Sequence, residues 1–372
     1  MNLIEVIDKY SEDIEFLETA YQACNVSDID ILRGDVILRC GTEKINDYII
    51  EMIRLDAEAK EELRKYIVEH FGEKLRNLVL SRLSQDIKNA LAIIAKCVLY
   101  EKNIYNIQAM FKLSELDLSI NELLRLGLLM RVSLSEVIVP EYLIEFLLSQ
   151  QRELEIDIYD ILQNMSNDYT NLALLEIVLF NLRPDRELFR TMYGIDYAEY
   201  VKRLHIPRLV MYVKETNNLI TNPLTSIEEL RRTYHEFKNF KSRNLCRRLN
   251  IHGTYNYVKS IRCGTVCTLY SSVEKALIIL SPWLVITRKL LQYLSNVPRM
   301  IITNIPVNKD FIDRYYTEFT RKYPELNKVL LVFLHEETAY VFKPRKLSRV
   351  HDTLLDTLYS SNFEVIELSM EW

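Results

Sequence analysis

Glycine is the residue that this sequence most lacks. The chain has 7 glycines in 372 residues, against an average usage of about 7% of residues. Loops that hold phosphates use glycine because backbone N–H groups must approach the ligand closely. Neither GxGxxG nor GxxxxGKS/T, two common patterns of such loops, occurs in the chain. The sequence therefore excludes nucleotide hydrolysis by a P-loop.

Histidine and cysteine are also sparse. The chain has 6 histidines and 6 cysteines, and it contains no HExxH, no GxSxG and no pair of CxxC motifs. Scattered histidines do not indicate a catalytic cluster, so we predict a protein that is not an enzyme and has no cofactor. Scattered cysteines in a chain of this length indicate reduced thiols rather than a disulfide framework.

One group of four residues has the ligand types that structural zinc prefers. Cys246, His252, Cys263 and Cys267 lie within one short segment. Their spacing matches none of the usual zinc patterns, so ordinary structural use of three thiols and one imidazole is the simpler interpretation. Zinc binding stays open as the alternative.

Long apolar runs are absent as well. One of the longest, residues 276–286, is shorter than the roughly 18 to 20 residues that a membrane-spanning helix needs. The first residues, MNLIEVIDKYSED, are acidic where a secretory signal is basic. We therefore expect a cytoplasmic protein without a membrane segment.

The length and composition are those of a globular protein. A chain of 372 residues with 49% hydrophobic and 27% charged residues is long enough for two to three domains. Its patterns predict a mainly α protein with small wings and a C-terminal α/β domain. The boundaries that these patterns suggest give four segments, residues 1–84, 85–150, 151–262 and 263–372.

The first segment opens with a heptad spacing. Its apolar positions are Leu3, Ile7, Tyr10, Ile14, Leu17 and Tyr21. This spacing predicts one helix that either packs within its own domain or forms a seam for self-association or a protein partner. Residues 30–40 predict a short hairpin, and residues 42–84 predict further helix.

Residues 85–150 predict three helices followed by a two-stranded hairpin. The third helix is expected to end at Leu126, and the strands to contain Met130 to Val132 and Val137 to Val139. The passage LLRLGLLMRV, in which a helix turns at Gly127 into a strand, resembles the winged helix-turn-helix domain. This resemblance concerns the fold more than the function.

A second copy of this order is expected after residue 170. Its predicted helices cover residues 171–180, 186–193 and 195–204, its wing strands cover residues 208–213 and 219–221, and a further helix covers residues 226–240. The last third alternates short strands with helices, which predicts an α/β domain. Its predicted strands lie at residues 276–280, 300–303, 328–334, 339–343 and 363–368, and its helices at 285–294, 310–321 and 348–359.

The passages EKALIILSPWL and RMIITN in this last domain resemble the phospholipase D-like fold. Some archaeal regulators of the TrmB type join winged helices to such a domain, which lacks catalysis and senses ligands. The active family has a His, one further residue and then a Lys, whereas this chain has His335 and Glu337 at the corresponding places. A carboxylate cannot hold phosphate charge, so the resemblance implies a domain without the catalytic motif.

The strongest charge pattern is a basic tract at residues 231–262. In a chain of net charge -5, this tract contains nine lysines and arginines and one acid, Glu236. Five aromatic residues alternate with the bases: Tyr234, Phe237, Phe240, Tyr255 and Tyr257. Cations that hold phosphates and rings that stack on unpaired bases are typical of nucleic-acid binding. A solvated helix face with buried aromatics, or a site for an acidic protein, are the alternatives.

A recognition helix should offer basic or amide side chains to base edges. The first predicted third helix instead carries Glu115, Asp117 and Glu122, with only Asn121 and Arg125 in its favour. The second is the better candidate, because Lys202, Arg203, His205 and Arg208 lie near its end. The predicted nucleic-acid-binding residues are Lys202, Arg203, Arg208, Lys241, Arg243, Arg247, Arg248, Lys259, Arg262, Lys343, Arg345 and Lys346.

Three functions follow from these patterns. The first is a non-catalytic nucleic-acid-binding protein, a transcription regulator or a subunit of a nucleoprotein complex. The second is a protein-interaction scaffold that uses winged helices as packing modules. The third and weakest is a nuclease or phosphodiesterase.

Overall fold

The computed structural model divides the chain into two compact units. Unit 1 comprises Met1–Ile156 and Val213–Thr225, and unit 2 comprises Asp157–Tyr212 and Ser226–Trp372. The structure describes residues 2–26, 28, 43–151, 155–248, 255–261, 264–270, 275–293, 299–305, 320–344, 347, 349–360 and 363–368. The hairpin predicted at residues 30–40 lies outside the described residues.

Unit 1 is helical with one small hairpin. Its elements before residue 157 are α1 (Leu3–Lys9), α2 (Ile14–Ala23), α3 (Glu43–Arg54), α4 (Ala57–Ser81), α5 (Gln85–Val98), α6 (Ile104–Leu113), α7 (Ile120–Leu126), β1 (Met130–Arg131), β2 (Val137–Ile138) and α8 (Glu141–Gln150). One hydrophobic core joins residues from α1 to α8. No helix of the described residues in either unit is long and apolar enough to cross a membrane.

The N-terminal helix predicted as one element is two helices. The chain leaves α1 at Tyr10, and α2 begins at Ile14 because the Asp13 carboxylate accepts hydrogen bonds from the backbone N–H groups of Glu15 and Phe16. Ile7, Leu17 and Tyr21 lie in the core, between 0% and 1% exposed. Of the two alternatives for this face, packing within its own domain is therefore confirmed, because α3 and α4 of the same chain cover the face that a self-association seam would need.

The three helices and hairpin after residue 84 occur in the predicted order. Side chains of Ser84, Asn103 and Ser119 cap α5, α6 and α7 by accepting backbone hydrogen bonds in their first turns. Gly127 ends α7 in the left-handed conformation, with φ of 79°. The chain then enters β1, which pairs antiparallel with β2.

Unit 2 begins with a second helical region. Its first elements are α9 (Ile158–Asn164), α10 (Tyr169–Leu179), α11 (Arg186–Tyr193), α12 (Tyr197–Tyr200), a 3-10 turn (Val201–Arg203) and β3 (His205–Ile206). β4 (Val210–Val213) follows and pairs antiparallel with β3. The next strand, β5 (Asn218–Thr221), lies in the segment Val213–Thr225 that belongs to unit 1. The third predicted helix of the second copy is thus a short helix and a 3-10 turn.

A long helix and a mixed sheet complete unit 2. They comprise α13 (Ile227–Arg248), β6 (Tyr255–Ile261), β7 (Gly264–Tyr270), β8 (Lys275–Leu280), α14 (Arg288–Tyr293), β9 (Arg299–Thr303), α15 (Thr320–Lys322), a 3-10 turn (Pro324–Lys328), β10 (Val329–His335), β11 (Thr338–Phe342), α16 (Arg349–Tyr359) and β12 (Glu364–Leu368). All five strands predicted for the last third are confirmed, as are the helices that became α14 and α16. The strands β6 and β7, which precede β8, were not predicted from the sequence.

The described strands β6 to β12 form one sheet in the order β12-β11-β10-β9-β8-β7-β6. The strands β8, β9 and β10 are parallel to one another, and their immediate neighbours, β7 and β11, run antiparallel to them. Side chains alternate between two apolar layers: Ile279 and Ile301 pack with α11, whereas Ile278 and Ile302 pack with α13 and α16. Helices on both faces bury the central strands, as parallel sheets require.

Two glycines that end helices in the left-handed conformation provide a test of this packing. A Cβ at Gly127 would lie 2.9 Å from Glu18 Oε1 and 3.0 Å from Val79 Cγ2, whereas a Cβ at Gly194 would meet nothing within 4 Å. Both positions have positive φ. We predict that Gly194→Ala lowers the free energy of unfolding by about 1 kcal/mol through backbone strain, and that Gly127→Ala lowers it by about 2 to 3 kcal/mol through strain and crowding. Urea unfolding of the two variants measures this difference, and equal losses would contradict it.

Candidate nucleic-acid interface

Helix α13 carries most of the predicted basic tract and has two distinct faces. Ser226 caps it by accepting a hydrogen bond from Glu229 N–H, and Glu228 and Glu229 lie in its first turn. The inner face buries Leu230, Tyr234, Phe237, Lys238, Ser242 and Leu245. These positions recur at steps of three and four, so one side of the helix packs in unit 2 and the other side faces solvent.

The aromatic residues of the tract are divided between these faces. Tyr234 is 1% exposed and Phe237 is 0% exposed, so the prediction that they stack on unpaired bases is wrong. Phe240 is 43% exposed and lies on the outer face. The side chains of Tyr255 and Tyr257, which belong to β6, lie outside the described residues.

A buried polar network fixes the inner face. The Lys238 Nζ atom donates a hydrogen bond to Glu176 Oε2 of α10 at 2.6 Å, and the two side chains are 5% and 1% exposed. Trp283 Nε1, just after β8, lies 3.0 Å from the same carboxylate oxygen and 2.6 Å from the Tyr234 hydroxyl oxygen. The Tyr234 hydroxyl donates to the Leu172 carbonyl at 2.7 Å. Three segments of unit 2 therefore meet at Glu176 Oε2.

This network stays polar in an apolar setting. Burial raises the pKa of Tyr234 well above its ordinary value, so its hydroxyl remains neutral and able to donate. The Lys238 ammonium also lies 5.6 Å from the centre of the Trp283 ring. Glu176 Oε1 is buried without a hydrogen-bond partner among the described residues. The ion pair of Glu176 and Lys238 therefore specifies how α10 packs on α13, because removing either charge would leave the other buried without a countercharge.

The outer face of α13 carries basic side chains near its C-terminal end. Arg243, Arg247 and Arg248 are exposed. Arg248 also donates to the backbone carbonyl of Glu336 and lies 5.3 Å from the centre of the Phe363 ring. Lys241 is partly buried, with its ammonium 5.3 Å from the centre of the Phe237 ring, and burial lowers its pKa.

A second group of predicted basic residues follows α12. Lys202, Arg203 and Arg208 are exposed. The Arg203 guanidinium lies 5.9 Å from the centre of the Tyr200 ring. Arg208 has a positive φ of 63° in the turn that separates β3 from β4.

The remaining predicted residues are placed less favourably or lie outside the description. Lys343 forms an ion pair with Glu367, so part of its charge is neutralised within the chain. The side chain of Lys259 and the whole of Arg262, Arg345 and Lys346 lie outside the described residues. The same is true of the side chains of Cys246, His252, Cys263 and Cys267, the group for which zinc binding stays an open alternative.

The other chemical candidates are few within the described part of the chain. No group of three or more His, Cys, Asp or Glu side chains that could hold a metal ion occurs there. Cys24 and Cys97 are buried free thiols, and burial raises the pKa of each to about 12. His335 ends β10 and is exposed, and Glu336 and Glu337 form the turn before β11.

Comparison of the chain with protein-family models, with curated proteins and with solved structures found no match.

The buried network and one surface residue were not predicted from the sequence. Glu176 stands in the otherwise apolar run NLALLEIVLF, and a single acid inside such a run is a signal for a buried charge that needs a partner. Tyr159 of α9 carries no such signal, because only the packing of α9 on α13 brings its ring to Phe240.

The buried pair predicts a specific pattern of stability losses. Replacing Glu176 by Gln leaves the Lys238 ammonium buried without a countercharge, which should cost about 3 to 5 kcal/mol of unfolding free energy. The double variant Glu176→Gln, Lys238→Met removes both charges and should recover most of that loss.

The matched control is Glu367→Gln at the more exposed pair with Lys343, whose side chains are 29% and 24% exposed. Its expected cost is below about 1 kcal/mol. Urea unfolding of the four proteins measures these values. A double variant as unstable as the single Glu176 variant would show that the pair does not act as a unit.

Proposed function

We propose that this protein is a non-catalytic nucleic-acid-binding protein that acts through unit 2. One observation carries the proposal: of the eight predicted basic residues whose side chains the structure describes, six are exposed. They are Lys202, Arg203, Arg208, Arg243, Arg247 and Arg248. Exposed lysines and arginines bind nucleic acid by neutralising phosphates and releasing counterions.

The distribution of acids supports the choice of unit. In unit 1, Glu115 and Asp117 are exposed just before α7, and Glu122 lies in its first turn. These carboxylates would repel a phosphate backbone. The acids of α13, Glu228, Glu229 and Glu236, all lie in the first half of the helix, together with Arg231 and Arg232. The second half carries Arg243, Arg247 and Arg248 and no acid, so it is the better site for phosphates.

The fold supports a regulator or a subunit of a nucleoprotein complex. Three helices followed by a hairpin are the order of a winged helix, and we propose that residues 85–150 and 170–240 are two such domains. For the last domain we propose a phospholipase D-like fold without catalysis. Glu337, in place of the lysine of the active family, supports that absence because it adds negative charge beside His335.

A protein-interaction scaffold is the second candidate, and an apolar surface in unit 1 favours it. Tyr100 is 78% exposed and Leu134 is 82% exposed. The backbone brings their segments together, because Ile104 N–H donates to the Ser135 carbonyl and Val137 N–H donates to the Lys102 carbonyl. Large exposed apolar side chains of this kind are common at protein–protein contacts.

A salt titration tests the nucleic-acid proposal. If Arg243 and Arg247 lie on phosphates, the logarithm of the affinity should fall linearly with the logarithm of salt concentration. The double variant Arg243→Gln, Arg247→Gln should weaken binding to all sequences alike and flatten this slope by about 1.4 units on single strands, or about 1.8 units on duplex DNA. Oligonucleotides recovered from the titration with Mg²⁺ present should be intact.

The matched control removes the same charge from unit 1. Lys112 and Arg125 are exposed on α6 and α7, and Lys112→Gln, Arg125→Gln should leave both affinity and slope unchanged. No binding at low salt, or an equal loss in the two double variants, would reject a nucleic-acid role for the outer face of α13.

A further inference from the structure

Two aromatic rings lie exposed beside the arginines of α13. Tyr159 of α9 is 38% exposed and Phe240 of α13 is 43% exposed. Their ring centres are 6.4 Å apart with an interplanar angle of 68°. Exposed aromatic rings cost hydration free energy, so a pair of them on a polar face marks a surface that gains from being covered.

The two exposed rings are supported by buried aromatic residues of the core. The Tyr159 ring also packs edge-on against the buried Phe237 ring, with centres 5.5 Å apart. Phe237 in turn stacks on Trp283, with centres 5.9 Å apart and an angle of 27°. The exposed rings therefore continue a packed aromatic column that begins at the buried network, and a ligand that binds them meets a preformed surface.

Arg243 and Arg247 lie on the same face of α13 as Phe240. Arg243 and Arg247 follow Phe240 by three and seven residues, the spacing that places side chains on one face of a helix. Both are exposed. Seven residues of helix rise about 10 Å, so the face presents one ring and two guanidinium groups in a line.

The acids of α9 give the surface a direction. Asp157 caps α9, and Asp160 follows Tyr159 directly. Negative charge on α9, and at exposed Glu236 one turn before Phe240 in α13, repels phosphates. Arg243 and Arg247, which follow the Phe240 ring in α13, attract them. A strand that binds here would lay its backbone along α13 and turn its bases toward the two rings.

From this arrangement we propose that the surface of Tyr159, Phe240, Arg243 and Arg247 binds single-stranded nucleic acid, with unpaired bases stacked on the rings. The inference rests on the proposed function and specifies its ligand as a strand with unpaired bases. A duplex keeps its bases stacked inside, so it could use the arginines but not the rings. Stacking of this kind is tolerant of sequence, because every base has a flat face.

The test removes the ring from the protein and the bases from the ligand, separately and together. Phe240→Leu keeps an apolar side chain and all charges, and Tyr105→Leu, at a ring that is 44% exposed in unit 1, is the matched control. The ligands are a thymidine strand of about 15 nucleotides, within the usual site size, and a strand of the same length made of abasic sites. The full chain is used throughout.

We expect the parent protein and Tyr105→Leu to bind the thymidine strand about tenfold more tightly than the abasic strand, equivalent to about 1.4 kcal/mol. Phe240→Leu should bind both strands with the affinity that the parent protein has for the abasic strand. The dependence of this affinity on salt concentration should be unchanged. A thermal unfolding midpoint equal to that of the parent protein should show that this variant is folded.

Three results would overturn the inference, and they are distinguishable. Equal binding of both strands by the parent protein, with a normal salt slope, would remove the stacking site and leave the nucleic-acid function. No binding of either strand at low salt would remove both. Tighter binding of polyglutamate than of the thymidine strand, weakened by Phe240→Leu, would show that the surface fits an acidic protein instead.

Discussion

The ion pair between Glu176 and Lys238 is the interaction on which unit 2 depends. Two ionised groups leave water here, and their attraction offsets that cost only if the geometry is good and further hydrogen bonds are made. Trp283 supplies such a bond, so the carboxylate joins two helices to the end of a central strand. A network of this kind specifies one arrangement of the segments more strictly than apolar packing alone does.

The outer surface of α13 follows from that inner anchor. Once Tyr234 and Lys238 face inward, the helical repeat turns Phe240, Arg243 and Arg247 outward. All three acids of α13 lie in its first half, so its second half carries basic residues without a neighbouring acid in the helix. The buried ion pair and the exposed basic residues thus lie on opposite faces of α13. A substitution in the ion pair should therefore disturb the exposed basic face.

Local patterns in the sequence predicted most elements of the fold. The bounds of α11 agree with those expected from apolar periodicity, and Gly127 ends α7 as expected, because helix ends depend on neighbouring residues. The break between α1 and α2 was missed because the heptad spacing continues through it, although Asp13 caps the second helix.

The site was only partly predictable, because contacts between distant segments decide which side of a helix is covered. The spacing of bases and rings in α13 placed Tyr234 and Phe240 in one class, whereas the structure buries the first and exposes the second. The charge of Lys238 likewise suggested a surface position, but Glu176 binds it from 62 residues away along the chain. Sequence alone gives the residue types of such a surface, and the fold selects its members.

Photocrosslinking tests most directly whether the outer face of α13 binds unpaired bases. A strand that carries 5-iodouracil would be bound to the full chain, irradiated and digested, and the crosslinked peptides would be identified by mass spectrometry. We expect crosslinks at Phe240 and Tyr159, and the crosslink at position 240 should be lost in Phe240→Leu. Crosslinks confined to α6 and α7 of unit 1, or a pattern that ignores the substitution, would contradict it.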